Sequence, residues 1–183
     1  MKKAFYTFAT IVGLLALLQT NVQAQAYQKG SKLINVGLGL GAYKVNLLKS
    51  LFAEKLTGAH GSIGVGGSFE VGITDQISAG GLFGYSRDSD LEMNFIHIGA
   101  RGSYHLAEVM KLNNNKIDIY AGAGVGFRIM SAEGATSEDF EGLNKIFIPI
   151  HVGGRYYFKD NMAAFTELGT GFAIFQGGIS FKL

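Results

Sequence analysis

Residues 163–183, AAFTELGTGFAIFQGGISFKL, decide the fold of this chain. Over the last ten residues the side chains alternate between two faces of an extended strand. One face carries Phe175, Gly177, Ile179, Phe181 and Leu183, and the other carries Ile174, Gln176, Gly178, Ser180 and Lys182. At the edge of a soluble sheet, such a strand would leave its backbone groups and its apolar face without partners. A closed barrel in lipid removes both problems, because the last strand pairs with the first and the apolar face meets acyl chains.

The same alternation recurs along the rest of the chain. It covers residues 32–43, 61–73, 77–85, 94–106, 117–129 and 145–158, and the region 163–183 completes the set. The count is about eight strands, and an even number is typical of single-chain bacterial barrels. The sequence therefore predicts an all-β fold, an eight-stranded antiparallel up-and-down transmembrane β-barrel.

The connections between these strands also alternate in length. Longer ones follow the first, third and fifth strands, and shorter ones follow the second, fourth and sixth. Outer-membrane barrels place short turns on the periplasmic side and long loops outside. In the first long connection, Lys44 to His60, leucines and a phenylalanine recur at helical spacing, which suggests an amphipathic turn on the membrane surface.

The N-terminus has the layout of a secretory signal peptide. Lys2 and Lys3 precede an apolar run from Ala4 to Leu18, and small residues follow it. Cleavage after Ala24 and cleavage after Ala26 fit equally well, so we assign residues 1–24 to the signal and 27–183 to the barrel. The run is shorter than the roughly 20 residues that a spanning helix needs.

Composition narrows the function classes. Removal of residues 1–24 leaves 14 basic and 14 acidic residues, and a neutral chain lacks the concentrated basic face of a nucleic-acid binder. No cysteine is present, which excludes disulfides and thiolate metal sites. No apolar run of about 18 residues follows the signal, so helical spans are not expected. An outer-membrane barrel and a soluble periplasmic protein remain as destinations.

Several stretches resemble small eight-stranded outer-membrane barrels of Gram-negative bacteria, the OmpX-like or porin-family barrels that also include the OmpA membrane domain. They are INVGLGLGAY, ITDQISAGGLFGYS, IGARGSYHL, KIDIYAGAGVGF, GGRYYF and the final stretch quoted above. The resemblance implies the outer membrane as the location and outer-membrane lipid and lipopolysaccharide as surroundings. It also implies that the terminal strand, with Phe175, Ile179, Phe181 and Leu183, engages the barrel-assembly machinery. Leu183 departs from the aromatic residue that often ends such strands.

Charged residues alternate onto the inward face of the predicted strands. The expected interior polar cluster consists of Glu70, Arg101, Asp118, Arg128, Arg155 and Glu167. Isolated charges in this interior would be costly, so we expect them to pair with one another. A packed polar core that holds the barrel shut is one interpretation. A narrow pore is the other, because the inward glycines at 37, 39, 41, 64, 66, 122, 124 and 126 could leave room for water.

Other motifs carry little weight. Gly37-x-Gly39-x-x-Ala42 matches a dinucleotide fingerprint formally, but no βαβ alternation follows it. The histidines His60, His97, His105 and His151 lack metal-ligand spacing. The acidic residues Asp88, Asp90, Glu92, Glu133, Glu138, Asp139 and Glu141 make two connections acidic and could hold a divalent cation. We predict no catalytic, cofactor or metal site, and no enzymatic activity.

The sequence thus favours a monomeric barrel with a structural or surface-interaction role, in envelope integrity, adhesion or binding of an envelope protein. A narrow passive pore is the first alternative. A periplasmic lipocalin-like binder is the second, and it would place Glu70, Arg101 and Arg155 on the outside.

Overall fold

The computed structural model describes residues 26–41, 63–88, 92–112, 114–132 and 145–183. They form nine strand segments: β1 Lys32–Leu40, β2 Ile63–Gly72, β3 Ile77–Asp88, β4 Met93–His105, β5 Ile117–Ala132, β6 Lys145–Phe147, β7 Ile150–Lys159, β8 Met162–Gly169 and β9 Phe175–Lys182. Segments β6 and β7 both pair with β5 and form one barrel strand, which gives eight strands. Within the described ranges, no helix is long and apolar enough to cross a membrane.

The sheet closes on itself with every neighbouring pair antiparallel. Each strand pairs with the next one in sequence, and β1 pairs with β9 from Leu33 opposite Lys182 to Leu40 opposite Phe175. The predicted eight-stranded antiparallel barrel is therefore confirmed. Closure leaves no free sheet edge along this seam, as the terminal strand requires.

A break separates β6 from β7 at Ile148 and Pro149, the single proline of the chain. Proline has no backbone N–H and cannot donate to the ladder. Its carbonyl still accepts a hydrogen bond from Gly124 N at 2.8 Å, so β5 stays attached across the break.

The outer surface of the barrel is apolar. Large exposed side chains alternate with buried ones along the strands, among them Leu38, Phe83, Ile98, Val125 and Val152. Lipid accepts such a surface, whereas water would not. The interior is polar and charged, so the lipocalin-like alternative, which needs an apolar interior, is wrong.

The two ends of the barrel differ. At the loop end the chain leaves β1, β3, β5 and β8, and at the turn end it makes the connections 73–76, 106–116 and 160–161. Residues 26–31 also lie at the turn end, where Gly30 N donates to Gly72 O and Gly72 N donates to Ser31 O. Gly30 has a φ of +83°, a left-handed conformation that favours glycine in this tight reversal.

Three predictions fall outside the described residues: the signal peptide, the helical spacing within Lys44 to His60, and most of the acidic positions. Of the latter, Asp88 and Glu92 are described, whereas Asp90, Glu133, Glu138, Asp139 and Glu141 are not.

Candidate functional site

The structure places the six residues of the expected polar cluster inside the barrel. Glu70 lies on β2, Arg101 on β4, Asp118 and Arg128 on β5, Arg155 on β7 and Glu167 on β8. Their exposed fractions range from 0 to 9%. Period-two alternation puts each of them on the inner face, because the residues before and after it in the strand point to the outer face. Five of the six then meet in one cluster, and Arg128 lies apart from it.

Arg101 and Glu167 form a two-pronged ion pair across the lumen. The two terminal guanidinium nitrogens of Arg101 donate to the two carboxylate oxygens of Glu167 at 3.1 and 2.9 Å. Tyr120 also donates its hydroxyl to Glu167, at 3.2 Å. This fork geometry fixes both side chains and joins β4 to β8, which are not neighbours in the sheet.

Arg155 forms the second ion pair. Its Nη1 lies 2.6 Å from Asp118 Oδ2, and its Nε donates to Asn35 Oδ1 at 3.1 Å. The guanidinium also stacks over the Tyr120 ring, with 4.1 Å between the guanidinium carbon and the ring centroid. Arg155 thereby links β7 to β5 and to β1.

Glu70 lies between the two arginines. Its Oε1 is 3.3 Å from Arg101 Nε and 3.7 Å from Arg155 Nη2. Its Oε2 accepts hydrogen bonds from the hydroxyls of Ser78 and Ser103, each at 2.6 Å. The cluster is thus one connected network in which each charge has a partner of opposite sign.

His105 completes the network at the turn end. Its Nδ1 lies 2.7 Å from Asp118 Oδ1, and its Nε2 lies 3.1 Å from Ser78 Oγ. His105 thereby connects Asp118 to Ser78, which itself donates its hydroxyl to Glu70.

Arg128 belongs to a second group nearer the loop end. Its Nε donates to His97 Nδ1 at 3.3 Å, and its guanidinium lies over the Phe147 ring at 4.8 Å. His97 also bonds to Ser86 Oγ at 3.2 Å.

Aromatic rings fill the space beside the inward glycines. A Cβ atom at Gly66 would lie 2.7 Å from the Phe172 ring, one at Gly153 would lie 2.6 Å from the Tyr120 ring, and one at Gly126 would lie 2.5 Å from the Phe147 ring. The pairs are Gly37 with Phe165, Gly39, Gly64, Gly66 and Gly84 with Phe172, Gly122 with His151, Gly126 with Phe147, and Gly153 with Tyr120. These glycines therefore hold rings and do not line an open channel.

Phe172 is the residue that the sequence analysis missed most clearly. It lies in the short connection between β8 and β9, yet it is only 3% exposed and projects into the barrel. Ala173 beside it is 2% exposed. A turn has no periodicity, so the sole signal was the unusually short length of this loop-end connection.

A small cavity remains below Phe172. Its volume is about 10 Å³, and Arg101, His151, Glu167 and Gln176 contribute to its lining. Nδ1 of His151 has no hydrogen-bond partner among the described residues, although the side chain is only 5% exposed. A cavity of this size holds about one water molecule.

The serine and histidine pairs of the interior do not form an accessible reaction centre. Ser78 bonds to His105, Ser86 to His97, and Ser103 to His151 at 2.9 Å, but these six side chains are at most 5% exposed. Ser78 and Ser103 both donate to Glu70, which ties their hydroxyls into the structural network. In the part of the chain that the structure describes, no group of three His, Asp or Glu side chains could hold a metal ion.

Tyr27 closes the turn end of the network. Its ring stacks on the His105 ring, with 3.3 Å between centroids and 5° between planes, and its hydroxyl donates to Thr74 O at 2.9 Å. Burial, with smaller contributions from Asp118, Glu70 and Asp75, raises the pKa of the Tyr27 phenol well above its usual range. Residue Tyr27 therefore stays neutral and keeps its hydrogen bond.

The terminal strand has one departure from the expected pattern. Phe175 is 43% exposed on the outer face, whereas Phe181, opposite Ile34 on the same face, is only 1% exposed. Ile179 and Leu183 are partly exposed. On the inner face, Lys182 places its ammonium 5.2 Å from the centroid of the Tyr157 ring.

The chain is similar to solved structures of membrane barrels. No protein-family model matches the sequence, and a search of curated proteins found no relative. The outer membrane protein OprG of Pseudomonas aeruginosa matches with a TM-score of 0.57 at 11% identity, covering 88% of this chain and 99% of OprG. The N-terminal β-barrel domain of OprF from the same organism matches at 0.52 and 15% identity, covering 85% and 98%. A de novo designed transmembrane β-barrel matches at 0.51 and 17% identity, covering 86% and 99%.

The fold is that of a transmembrane β-barrel. Because these structures share only 11 to 17% sequence identity with the chain, their similarity to it concerns the architecture of the fold alone. Together with the apolar outer surface, it is consistent with a location in the outer membrane.

Proposed function

We propose that this protein is a non-enzymatic, monomeric outer-membrane barrel with a structural or surface-interaction role. The observation that carries the proposal is the filled interior. Arg101 and Arg155 reach across the lumen to carboxylates on strands that are not their neighbours, Glu167 and Glu70, and aromatic rings occupy the space beside the inward glycines. A barrel filled in this way offers its surroundings a lipid-facing wall and the connections at its loop end.

The partners proposed for it follow from these surfaces. Acyl chains cover the apolar wall, lipopolysaccharide surrounds the loop end, and the barrel-assembly machinery receives the terminal strand that contains Phe175, Ile179, Phe181 and Leu183. Residues 42–62 and 133–144 are the longest connections at the loop end and are the candidates for contact with another envelope protein.

A narrow passive pore is the alternative. It requires a continuous water path past the Arg101–Glu167 pair and past Phe172. Within the described residues, the space between these two obstacles is the cavity of about 10 Å³. The filled interior therefore favours the closed barrel over the pore.

Envelope complementation tests the role. A strain that lacks this chain is made to express the natural protein or a variant in which residues 133–144 are replaced by a short Gly/Ser turn. Detergent sensitivity of the cells is the readout. Equal protection by both proteins supports a structural role, and protection by the natural protein alone supports an interaction through that loop. If neither protein changes detergent sensitivity, an envelope role is contradicted.

A further inference from the structure

The Phe172 side chain is held in a cradle built from three consecutive strands, β1, β2 and β3, of which β1 is the neighbour of β9. The cradle consists of Gly39 on β1, Gly64 and Gly66 on β2, and Gly84 on β3. A Cβ atom would lie 2.8 Å from the ring at Gly39, 2.7 Å at Gly66 and 3.1 Å at Gly64, and closer still at Gly84. Residues 170–174 carry the ring across the lumen although they belong to no strand. The flat, apolar ring of Phe172 is thus packed against the backbone of the four glycines near the loop end.

Polar groups lie directly beneath this ring. The cavity below Phe172 is lined by Arg101, His151, Glu167 and the amide of Gln176, and Nδ1 of His151 has no hydrogen-bond partner within the described ranges. Because Ser103 donates its hydroxyl proton to Glu70, the other ring nitrogen of His151 has to donate to Ser103. Nδ1 is therefore a free acceptor, buried and adjacent to the cavity.

The connection that carries Phe172 is fixed at its two ends. Thr170 bonds to Ile148 and Ile150, Gly169 N donates to Ile174 O at 2.9 Å, and Ile174 N donates to Leu40 O at 3.2 Å. Between these ends, the hydrogen bond that the structure gives residues 171–173 is the one from Gln176 Nε2 to Ala173 O at 3.4 Å. The ion-pair cluster beneath is held by many more bonds. If residues 170–174 alone moved outward, the space left by the Phe172 ring would be bordered by the glycine cradle. The polar side chains of the cavity would lie at its inner end, and the Arg101–Glu167 pair would close it there.

We propose that Phe172 occupies a binding pocket at the loop end, and that a small molecule with a flat apolar ring and a hydroxyl group enters this pocket when residues 170–174 move outward. The ring lies on the glycine cradle, and the hydroxyl donates to Nδ1 of His151. The pocket ends at the Arg101–Glu167 pair, so binding leaves the barrel closed to ions.

A truncation of the ring tests the pocket. The mature chain carrying Phe172→Gly is refolded in detergent and titrated with 4-fluorophenol, and binding is followed by fluorine NMR. Phe175→Gly is the matched control, because Phe175 is the first residue of β9, directly after the same connection, and its ring lies exposed on the outer face. Saturable binding by Phe172→Gly alone is expected. Equal partition of the probe into the micelles of both variants overturns the proposal.

The hydroxyl contact has its own readout. In the Phe172→Gly chain, 4-fluorotoluene is expected to bind about fivefold more weakly than 4-fluorophenol, because it leaves the buried acceptor unpaired. Addition of His151→Leu is expected to abolish this preference. An unchanged preference in the double variant contradicts the assignment of His151.

Movement of the connection is tested with Phe172 in place. The chain has no cysteine, so Gln176→Cys and Ser180→Cys each supply a single thiol on the inner face of β9, the first below Phe172 and the second near the turn end. A water-soluble methanethiosulfonate reagent is expected to label position 176 at least tenfold faster than position 180. Equal rates, or no labelling at either position, mean that residues 170–174 do not move, and the proposal fails.

Discussion

At the scale of single residues, burial and pairing explain why charge is tolerated inside this barrel. Each arginine of the cluster is fixed by a carboxylate on another strand, and Glu70 contacts both arginines. A buried ion pair that keeps both partners contributes little net stability, but loss of one partner leaves the other charge uncompensated.

Arg101→Leu is expected to destabilise the barrel by about 3 kcal/mol or more, because it strands the carboxylate of Glu167 in the lumen. Thermal unfolding of the refolded protein in detergent measures the change. Glu167→Leu in the same chain should restore part of the lost stability, because it removes the stranded charge. Arg87→Leu, at an exposed arginine of β3, is the control and should have a small effect. Equal effects at the two arginines would mean that Arg101 is not part of a paired interior.

Tyr27 provides a pH-dependent test at the turn end. At pH 8, Tyr27→Phe is expected to lower stability by about 1 kcal/mol through loss of the hydrogen bond to Thr74. Burial raises the pKa of this phenol, so the unfolded chain ionises first as the pH rises past the ordinary value of 10.0. The contribution of Tyr27 is complete below that pH and declines above it. The difference in unfolding temperature between the two proteins should therefore shrink or reverse at pH 11, and a difference that grows would contradict this.

At the scale of the elements, alternation along each strand was enough to predict the fold. Outer positions such as Phe83 and Ile98 are apolar because they face lipid. The same period of two residues assigns Glu70 and Arg101 to the inner face. Which inner residues meet was not predictable in this way. Arg101 and Glu167 are 66 positions apart and touch only because of the stagger between strands around the barrel, which no local pattern encodes.

The inward glycines show the limit of the sequence argument most clearly. They could equally have lined a water path, and the choice depends on rings contributed by distant parts of the chain. Phe172 comes from a turn, where neither alternation nor helical spacing marks its direction. Tyr27 likewise precedes the first strand and gave no sign of stacking on His105.

Gly84→Ala tests the fit between ring and glycine. The added methyl group would overlap Cβ and Cγ of Phe172, and we expect a loss of about 1 to 3 kcal/mol in the free energy of unfolding. Phe172→Gly in the same chain removes both overlapping atoms and should relieve the overlap, so the two changes together should cost less than their sum. Gly102→Ala is the control on the outer face, where the nearest atom would be 3.5 Å away. Additive effects of Gly84→Ala and Phe172→Gly would argue against contact between these residues.

At the scale of the whole molecule, closure, apolar exterior and filled interior belong together. Pairing of β1 with β9 removes the free edge, and the outer residues then require lipid. The inner charges require partners, and these partners fill the lumen. A closed barrel with its connections presented at the loop end is the consequence.

Single-channel conductance of the refolded mature protein in planar bilayers tests this account most directly. Insertion is verified on the same sample by β-sheet content and by the mobility of unheated protein on a gel. The filled interior predicts a folded, inserted protein that produces no conductance steps, with Arg101→Leu and Phe172→Gly also silent when each is introduced alone. Reproducible steps from the natural protein, changed in size by substitution of Arg101, would contradict the closed barrel and identify the ion pairs as the lining of a pore.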